Sequence, residues 1–156
     1  MQAIIPVAHS VDFLRVEEMV KGRKVTLVKE KATEILSLAD AAIITSGTAT
    51  LQAAISGVPM VIIYKVSPLT YFLGKILIKV KNIGIVNIVA GRQIVPELIQ
   101  SDAIPEKIAG VIRKILDDPL YRDNMKRDLL GVREKLGKPG ASDRAAEAVI
   151  GLMGEK

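Results

Sequence analysis

Ala42-Ile-Ile-Thr-Ser-Gly-Thr-Ala-Thr-Leu-Gln-Ala-Ala-Ile-Ser-Gly-Val-Pro-Met-Val-Ile-Ile-Tyr64 decides the fold of this chain. Ala42 to Thr45 and Pro59 to Tyr64 are short apolar, β-branched runs of the kind that fill a parallel sheet covered on both faces. Parallel neighbours need a crossover, so the segment between them reads as a helix. Ser46 and Thr48 can each cap its exposed N–H groups, and Gly47 lets the backbone come close to a bound group. Gly57 ends the helix and Pro59 opens the next strand. Unpaired amides at a helix start favour an anion, phosphate above all, and two hydroxyls beside them add donors. Ligands of open α/β sheets sit beyond the carboxyl ends of the strands, the place expected for Thr45 to Thr50. A lone Ser-Gly-Thr, however, reads first as a plain cap and turn.

Upstream of this stretch, Ala3 to Val7 reads as a strand, Val11 to Val20 as a helix, Lys24 to Val28 as a strand and Lys31 to Leu38 as a helix. A last short strand is expected near Gly84 to Val89, after which the pattern turns wholly helical. Glu106 to Leu116 places Ile108, Val111, Ile112, Ile115 and Leu116 on one helical face behind Pro105, a residue suited to the first turn. Pro119 to Leu136 and Ala141 to Met153 read as two more helices, separated by Lys138-Pro139-Gly140. The pattern predicts a single α/β domain over 1–156. A Rossmann-like parallel sheet with helices on both faces occupies 1–100, and helices occupy 101–156. Neither the dinucleotide fingerprint nor the Walker pattern is present, which removes the main support for a dehydrogenase or an ATPase.

Composition narrows the chemistry. Of 156 residues, 49% are apolar but only 3% aromatic, which suits a core of Ile, Val, Leu and Ala. There is no cysteine for a disulfide or a thiolate site, and His9 is the one histidine, so no metal site is expected. No apolar run reaches the about 18 residues of a membrane span, and the Met1 end lacks a signal-peptide pattern, so a cytoplasmic protein is expected. The net charge of +5 suits an anionic substrate or a membrane surface. Nucleic acid is not expected as a partner, because no recognised motif or interleaving of aromatic with basic residues is present.

Two further segments carry information. Ser67 to Lys81 begins with a capping serine and a proline at the first helical position. Leu69, Phe72, Leu73, Ile76, Leu77 and Val80 form one stripe. Tyr71 and Ile78 point away from it at about 100° per residue, with Lys75 and Lys79 between the two faces. Such a helix can rest on an anionic bilayer, pack on a neighbouring domain, or serve as an ordinary core helix. In Asn87-Ile-Val-Ala-Gly-Arg-Gln93, the polar side chains are expected at the sheet edge that carries the Ser-Gly-Thr turn. Asn87 offers donor and acceptor, Arg92 a fixed fork for phosphate or carboxylate, and Gly91 close backbone approach. Alone, Asn87 equally fits a turn and Arg92 a solvated charge. Glu97 and Gln100, read as one helical turn apart, are further candidates to face a ligand.

The run SGTATLQAAISGVPMVIIYKVSPLTYFLGK, followed by NIVAGRQIVPELIQ, resembles the C-terminal half of lipid-A-disaccharide synthase, a two-domain glycosyltransferase of the GT-B type. The resemblance extends over nearly the whole chain and is strongest from Ala39 to Gln100. It implies transfer of 2,3-diacylglucosamine from UDP-2,3-diacylglucosamine to 2,3-diacylglucosamine 1-phosphate with release of UDP, in lipid A biosynthesis. The UDP-sugar is then a donor substrate, and no cofactor is called for. Ser46, Gly47, Thr48 and Ala49 would hold the diphosphate, with Gln52, Gly91 and Glu97 also on the nucleotide side. Asn87 and Arg92, which match the family's LPNLIAGR motif, are the residues it implicates in substrate binding and activity. It also implies contact of 67–81 with the inner membrane of a Gram-negative bacterium, and leaves a homo-oligomer open.

Two departures from the family pattern bear on the candidate site. Gln52 stands where a glutamate is usual, so a ribose hydroxyl meets a neutral acceptor rather than a charge. Val86 replaces the proline before Asn87. The resemblance further implies an N-terminal domain that binds the acceptor and supplies the candidate base, together with a first strand and Gly-Ser-Arg turn that precede Met1. In the order 3-2-1-4-5-6 that strand is central, so its neighbours are expected to have unpaired edges, or else the sheet rearranges. The missing portion would come from the same gene product or a second chain. Two rival readings are another UDP-sugar enzyme of this architecture, such as a peptidoglycan-precursor transferase or an epimerase, and a non-catalytic nucleotide-binding or assembly module.

Overall fold

The computed structural model describes residues 1–29, 31–67, 82–137 and 140–154. In chain order these form β1 (Ala3–Val7), α1 (Phe13–Met19), β2 (Val25–Lys29), α2 (Ala32–Leu38), β3 (Ala42–Thr45), α3 (Ala49–Ile55) and β4 (Met60–Tyr64). After 82 come α4 (Ile85–Ala90), β5 (Glu97–Ile99), a 3-10 turn (Gln100–Asp102), α5 (Pro105–Asp117), α6 (Pro119–Leu136) and α7 (Ala141–Gly154). The helix expected over 67–81 falls almost wholly on residues outside those described. Among the described residues, no helix is long and apolar enough to cross a membrane.

Local chemistry sets most of the boundaries. Asp12 caps α1 by accepting from the amides of Leu14 and Arg15 at 3.0 and 3.4 Å. At the end of α3, the amide of Gly57 donates to the Ala54 carbonyl and that of Val58 to the Ala53 carbonyl. This double closure needs Gly57 in the left-handed region, at φ 69°. Pro105 and Pro119 open α5 and α6, where a missing N–H costs nothing.

The strands are all parallel but form two sheets. β1 pairs with β2, and β4 lies between β3 and β5. The fold is thus α/β with parallel sheets and C-terminal helices, and the first two strands neither join nor slide against β3. In β3, the amides of Ala42 and Ser46 donate to Pro59 and Ile63, so the backbone groups of Ile43 and Thr45 face the other edge, which no described strand pairs. Met60, Val61 and Ile62 of β4 are all buried, which covers both faces of that strand.

One sequence expectation is corrected. Gly84 to Val89 is not a strand: Ile85–Ala90 is helix α4, and the third strand of the sheet is Glu97–Ile99. The β-branched run invites an extended reading. Gly84 as N-cap, Gly91 at φ 78° as C-cap and the tertiary bonds of Asn87 override it.

The core joins Ile44, Ala53, Ala54, Met60, Ile62 and Val86 to Ile115, Met125, Leu129 and Val132, so α5 and α6 close the β3–β5 sheet. Among the described residues before Ile44, Val7 alone is buried. Leu14, Met19 and Leu38 are exposed by 72%, 76% and 86%, leaving the β1–α2 unit with an uncovered apolar surface.

Candidate functional site

Because β3, β4 and β5 run parallel, their carboxyl ends bring Thr45, Tyr64 and Ile99 to one edge of the sheet. The turn Ser46–Thr48 leaves from that edge into α3. Gly47 sits at φ 150°, a conformation that side-chain-bearing residues rarely take, and open space surrounds its Cα. The Thr48 side chain makes no capping bond, and among the described residues no acceptor meets the amides of Gly47, Thr48 or Ala49. Three N–H groups with a helix dipole behind them make a surface that favours an anion. Thr48, Ala49 and Gln52 are exposed, with Gln52 one turn beyond Thr48 on the same helix.

The two hydroxyls flanking these amides have unequal roles. Ser46 Oγ donates to the Ile83 carbonyl at 3.0 Å, which spends its proton inside the protein. Thr50 Oγ1 likewise donates to the Gly47 carbonyl at 2.8 Å. Thr48 therefore carries the hydroxyl left for a ligand, while Ser46 ties the turn to the segment before α4.

Asn87 corrects the expectation that its side chain emerges beside this turn. It is fully buried, with Nδ2 donating to the Val95 carbonyl at 2.9 Å and to Glu97 Oε1 at 2.7 Å. Oδ1 accepts from the amides of Ile94 and Val95 at 2.8 and 3.0 Å. Both donors and both acceptor positions of the amide are filled. Glu97 also turns inward. Its carboxylate accepts from the amides of Ile83 and Gly84 at 2.9 and 3.0 Å as well as from Asn87. Glu97 and Gln100 are not neighbours on a helix, since one belongs to β5 and the other opens the 3-10 turn.

Arg92 follows Gly91 on an exposed loop, and its Nη2 lies 2.5 Å from Asp128 Oδ1 on α6. At 62% exposure the Arg92 side chain is largely in solvent, so the pair is weakly held and open to exchange. Beside it, Lys135 Nζ donates to the Val89 and Ala90 carbonyls at 3.3 and 3.0 Å and completes the end of α4. The structure thus joins Asn87 to Glu97 directly and both to Ser46 through Ile83. Arg92 belongs to a separate contact with α6. Asp128, Lys135 and Gln100 as hydrogen-bonding partners were not foreseen. Their partners lie far away along the chain, and only the i, i+7 spacing of Asp128 and Lys135 hints at a shared face.

Two concavities among the described residues lie elsewhere. One, between the end of α3 and α6, is lined by Ile55, Lys126, Leu130 and Arg133; the other lies beside α1 and β2. The turn lines neither of them.

A family model described as lipid-A-disaccharide synthetase matches residues 2–149. The chain belongs to the lipid-A-disaccharide synthase family. Curated lipid-A-disaccharide synthases agree with this. The protein of Geobacter sulfurreducens is 46% identical over 100% of this chain and 41% of its own length. That of Syntrophus aciditrophicus is 42% identical over 98% of this chain and 41% of its own, and that of Myxococcus xanthus 37% over 98% and 40%. The chain therefore spans about two fifths of the length of the lipid-A-disaccharide synthases it matches.

Proposed function

We propose that this chain is the UDP-sugar-binding part of a lipid-A-disaccharide synthase. The complete reaction moves 2,3-diacylglucosamine from its UDP-activated form to 2,3-diacylglucosamine 1-phosphate and releases UDP. The observation that carries this reading is the row of open amides at Gly47, Thr48 and Ala49, placed at the carboxyl edge of a parallel sheet in a chain of this family. These amides and the Thr48 hydroxyl hold the diphosphate and stabilise charge as UDP leaves. Gln52, exposed one turn further on, accepts from the ribose. Arg92 exchanges Asp128 for an acidic group of the substrate, at low cost for an exposed pair. Asn87 and Glu97 act on the site from behind, by shaping 83–97.

Titration with UDP, followed through the amide signals of Gly47, Thr48 and Ala49, tests this reading. Saturable shifts centred on the turn are expected, and their absence would sink it. Turnover is expected only when the portion that the relatives carry beyond this chain is supplied, in cis or from a second chain. Full UDP release by the isolated chain would overturn that part. Acylated substrates and the two-faced, lysine-flanked helix read from 67–81 support contact with the inner face of a Gram-negative inner membrane. Replacing Lys75 and Lys79 by Glu is expected to reduce co-sedimentation with anionic vesicles.

A second reading, an assembly module without catalysis, draws on the thinly buried β1–α2 unit and the open edge of β3. It predicts no saturable response to UDP.

A further inference from the structure

We infer that Glu97 and Gln100 are positioning residues that clamp both roots of the 67–82 connection and pass that constraint, through Ile83, to Ser46 of the anion-binding turn. The inference rests on the proposed UDP site for its functional consequence, although the clamp itself is a matter of geometry. At the first root, Gln100 Oε1 accepts from the Val66 amide at 2.8 Å and Gln100 Nε2 donates to the Val66 carbonyl at 3.0 Å. A side chain thus continues the pairing of β4 with β5 beyond Tyr64 and Ile99, where the backbone has already left the sheet. Glutamine suits the task because it presents one donor and one acceptor in a single plane. Gln100 holds this position with φ at 51°, a left-handed conformation that residues with a side chain seldom adopt.

At the second root, Glu97 Oε2 takes the Ile83 amide and Oε1 takes the Gly84 amide. The carbonyl of the same Ile83 accepts the Ser46 hydroxyl. Glu97, Ile83 and Ser46 therefore form a continuous chain of hydrogen bonds, with Asn87 holding the carboxylate from the other side at 2.7 Å. At the centre Gly84 leaves little room, since an added Cβ would run into Ile62 Cδ1 and stand 3.1 Å from Glu97 Oε1, so that these side chains would have to shift. One strand and the turn after it hold both ends of the connection. The Ser46 end of the diphosphate turn is set by the same contacts.

Amide hydrogen exchange on the full chain without ligand, for the wild type, Glu97→Gln and Gln100→Glu, tests the clamp. Both substitutions keep the side-chain shape. In Glu97→Gln one carboxylate oxygen becomes an N–H donor, so exchange at Ile83 or Gly84 is expected to rise about tenfold, the equivalent of one hydrogen bond to a charged group, with Leu129 and Val132 unchanged. In Gln100→Glu the rise is confined to Val66, whose carbonyl then faces a carboxylate oxygen. A uniform rise that includes Leu129 and Val132 would reveal ordinary destabilisation and overturn the inference, as would unchanged exchange at both Ile83 and Gly84. UDP titration adds the functional arm. Glu97→Gln is expected to bind UDP about tenfold more weakly, and the difference should vanish in a Ser46→Ala background. Equal affinity of wild type and Glu97→Gln would overturn the link to the site. Failure of the wild type to bind UDP would refute the proposed function, while the exchange pattern would still judge the clamp.

Discussion

At the scale of single residues, Asn87 shows how a motif residue can hold the frame from inside. Its four hydrogen bonds satisfy two amides, a carbonyl and a carboxylate in a site closed to solvent. Asn87→Ala strands all of these groups, so a loss of about 2–5 kcal/mol is expected. Urea unfolding checks this through a lower midpoint at unchanged slope. Loss of activity in such a variant would then report the frame rather than a substrate contact. Tyr121 supplies a pH-dependent case. Burial first, and the nearby Asp118 carboxylate second, raise its pKa above the ordinary 10.0. A raised value in the folded state means that the unfolded chain ionises first as pH climbs. The contribution is thus intact below the ordinary tyrosine range and is lost through and above it. Tyr121→Phe is expected to flatten the fall in stability above pH 10, measured by urea midpoints across that range. The string of motif residues was legible in the sequence. The partners of Asn87, Glu97 and Ser46 were not, because a polar side chain in a linear sequence looks the same whether it meets solvent or a distant backbone amide.

At the scale of elements, α6 organises the second half of the chain. It packs on α3, α4 and α5, and its Met125, Leu129 and Val132 are buried at helical spacing. Leu129→Ala removes a side chain from the shared centre of these contacts and is expected to cost about 2–5 kcal/mol, read by thermal or urea unfolding. The exposed Leu120 of the same helix serves as the control and is expected to cost little. Helices α5 and α6 were legible from their apolar spacing and their opening prolines, since period and capping are local properties. Helix α4 was misread because Ile85, Val86, Ile88 and Val89 favour an extended strand in isolation. Only the glycine at each end and the bonds converging on Asn87 select the helix.

At the scale of the whole molecule, burial is uneven. The continuous core begins at Ile44, and among the described residues the β1–α2 unit holds one buried side chain and a two-stranded parallel sheet of its own. Parallel strands are ordinarily covered on both faces, so this unit lies at the low end of local stability. Amide exchange is expected to be faster in Ala3–Val7 and Val25–Lys29 than in Ala42–Thr45 and Met60–Tyr64. Adding the complementary portion of a lipid-A-disaccharide synthase should slow it most in the first two strands. Equal protection across all four would contradict this.

By itself the sequence determined the alternation of strands and helices, the parallel α/β class, the Ser-Gly-Thr turn before α3 and the family. Each of these rests on local periodicity, on capping chemistry or on an ordered string of motifs. The tertiary structure alone decided that the strands divide into two sheets, that Asn87 and Glu97 face inward, that Ser46 donates to Ile83 and that Arg92 pairs with α6. The physical reason is that edge pairing, burial and hydrogen-bond partnership depend on which distant segments meet. The Ser-Gly-Thr turn is therefore written in its own residues. The frame that holds it is written in Ile83, Glu97 and Gln100, and becomes visible only once the chain has folded.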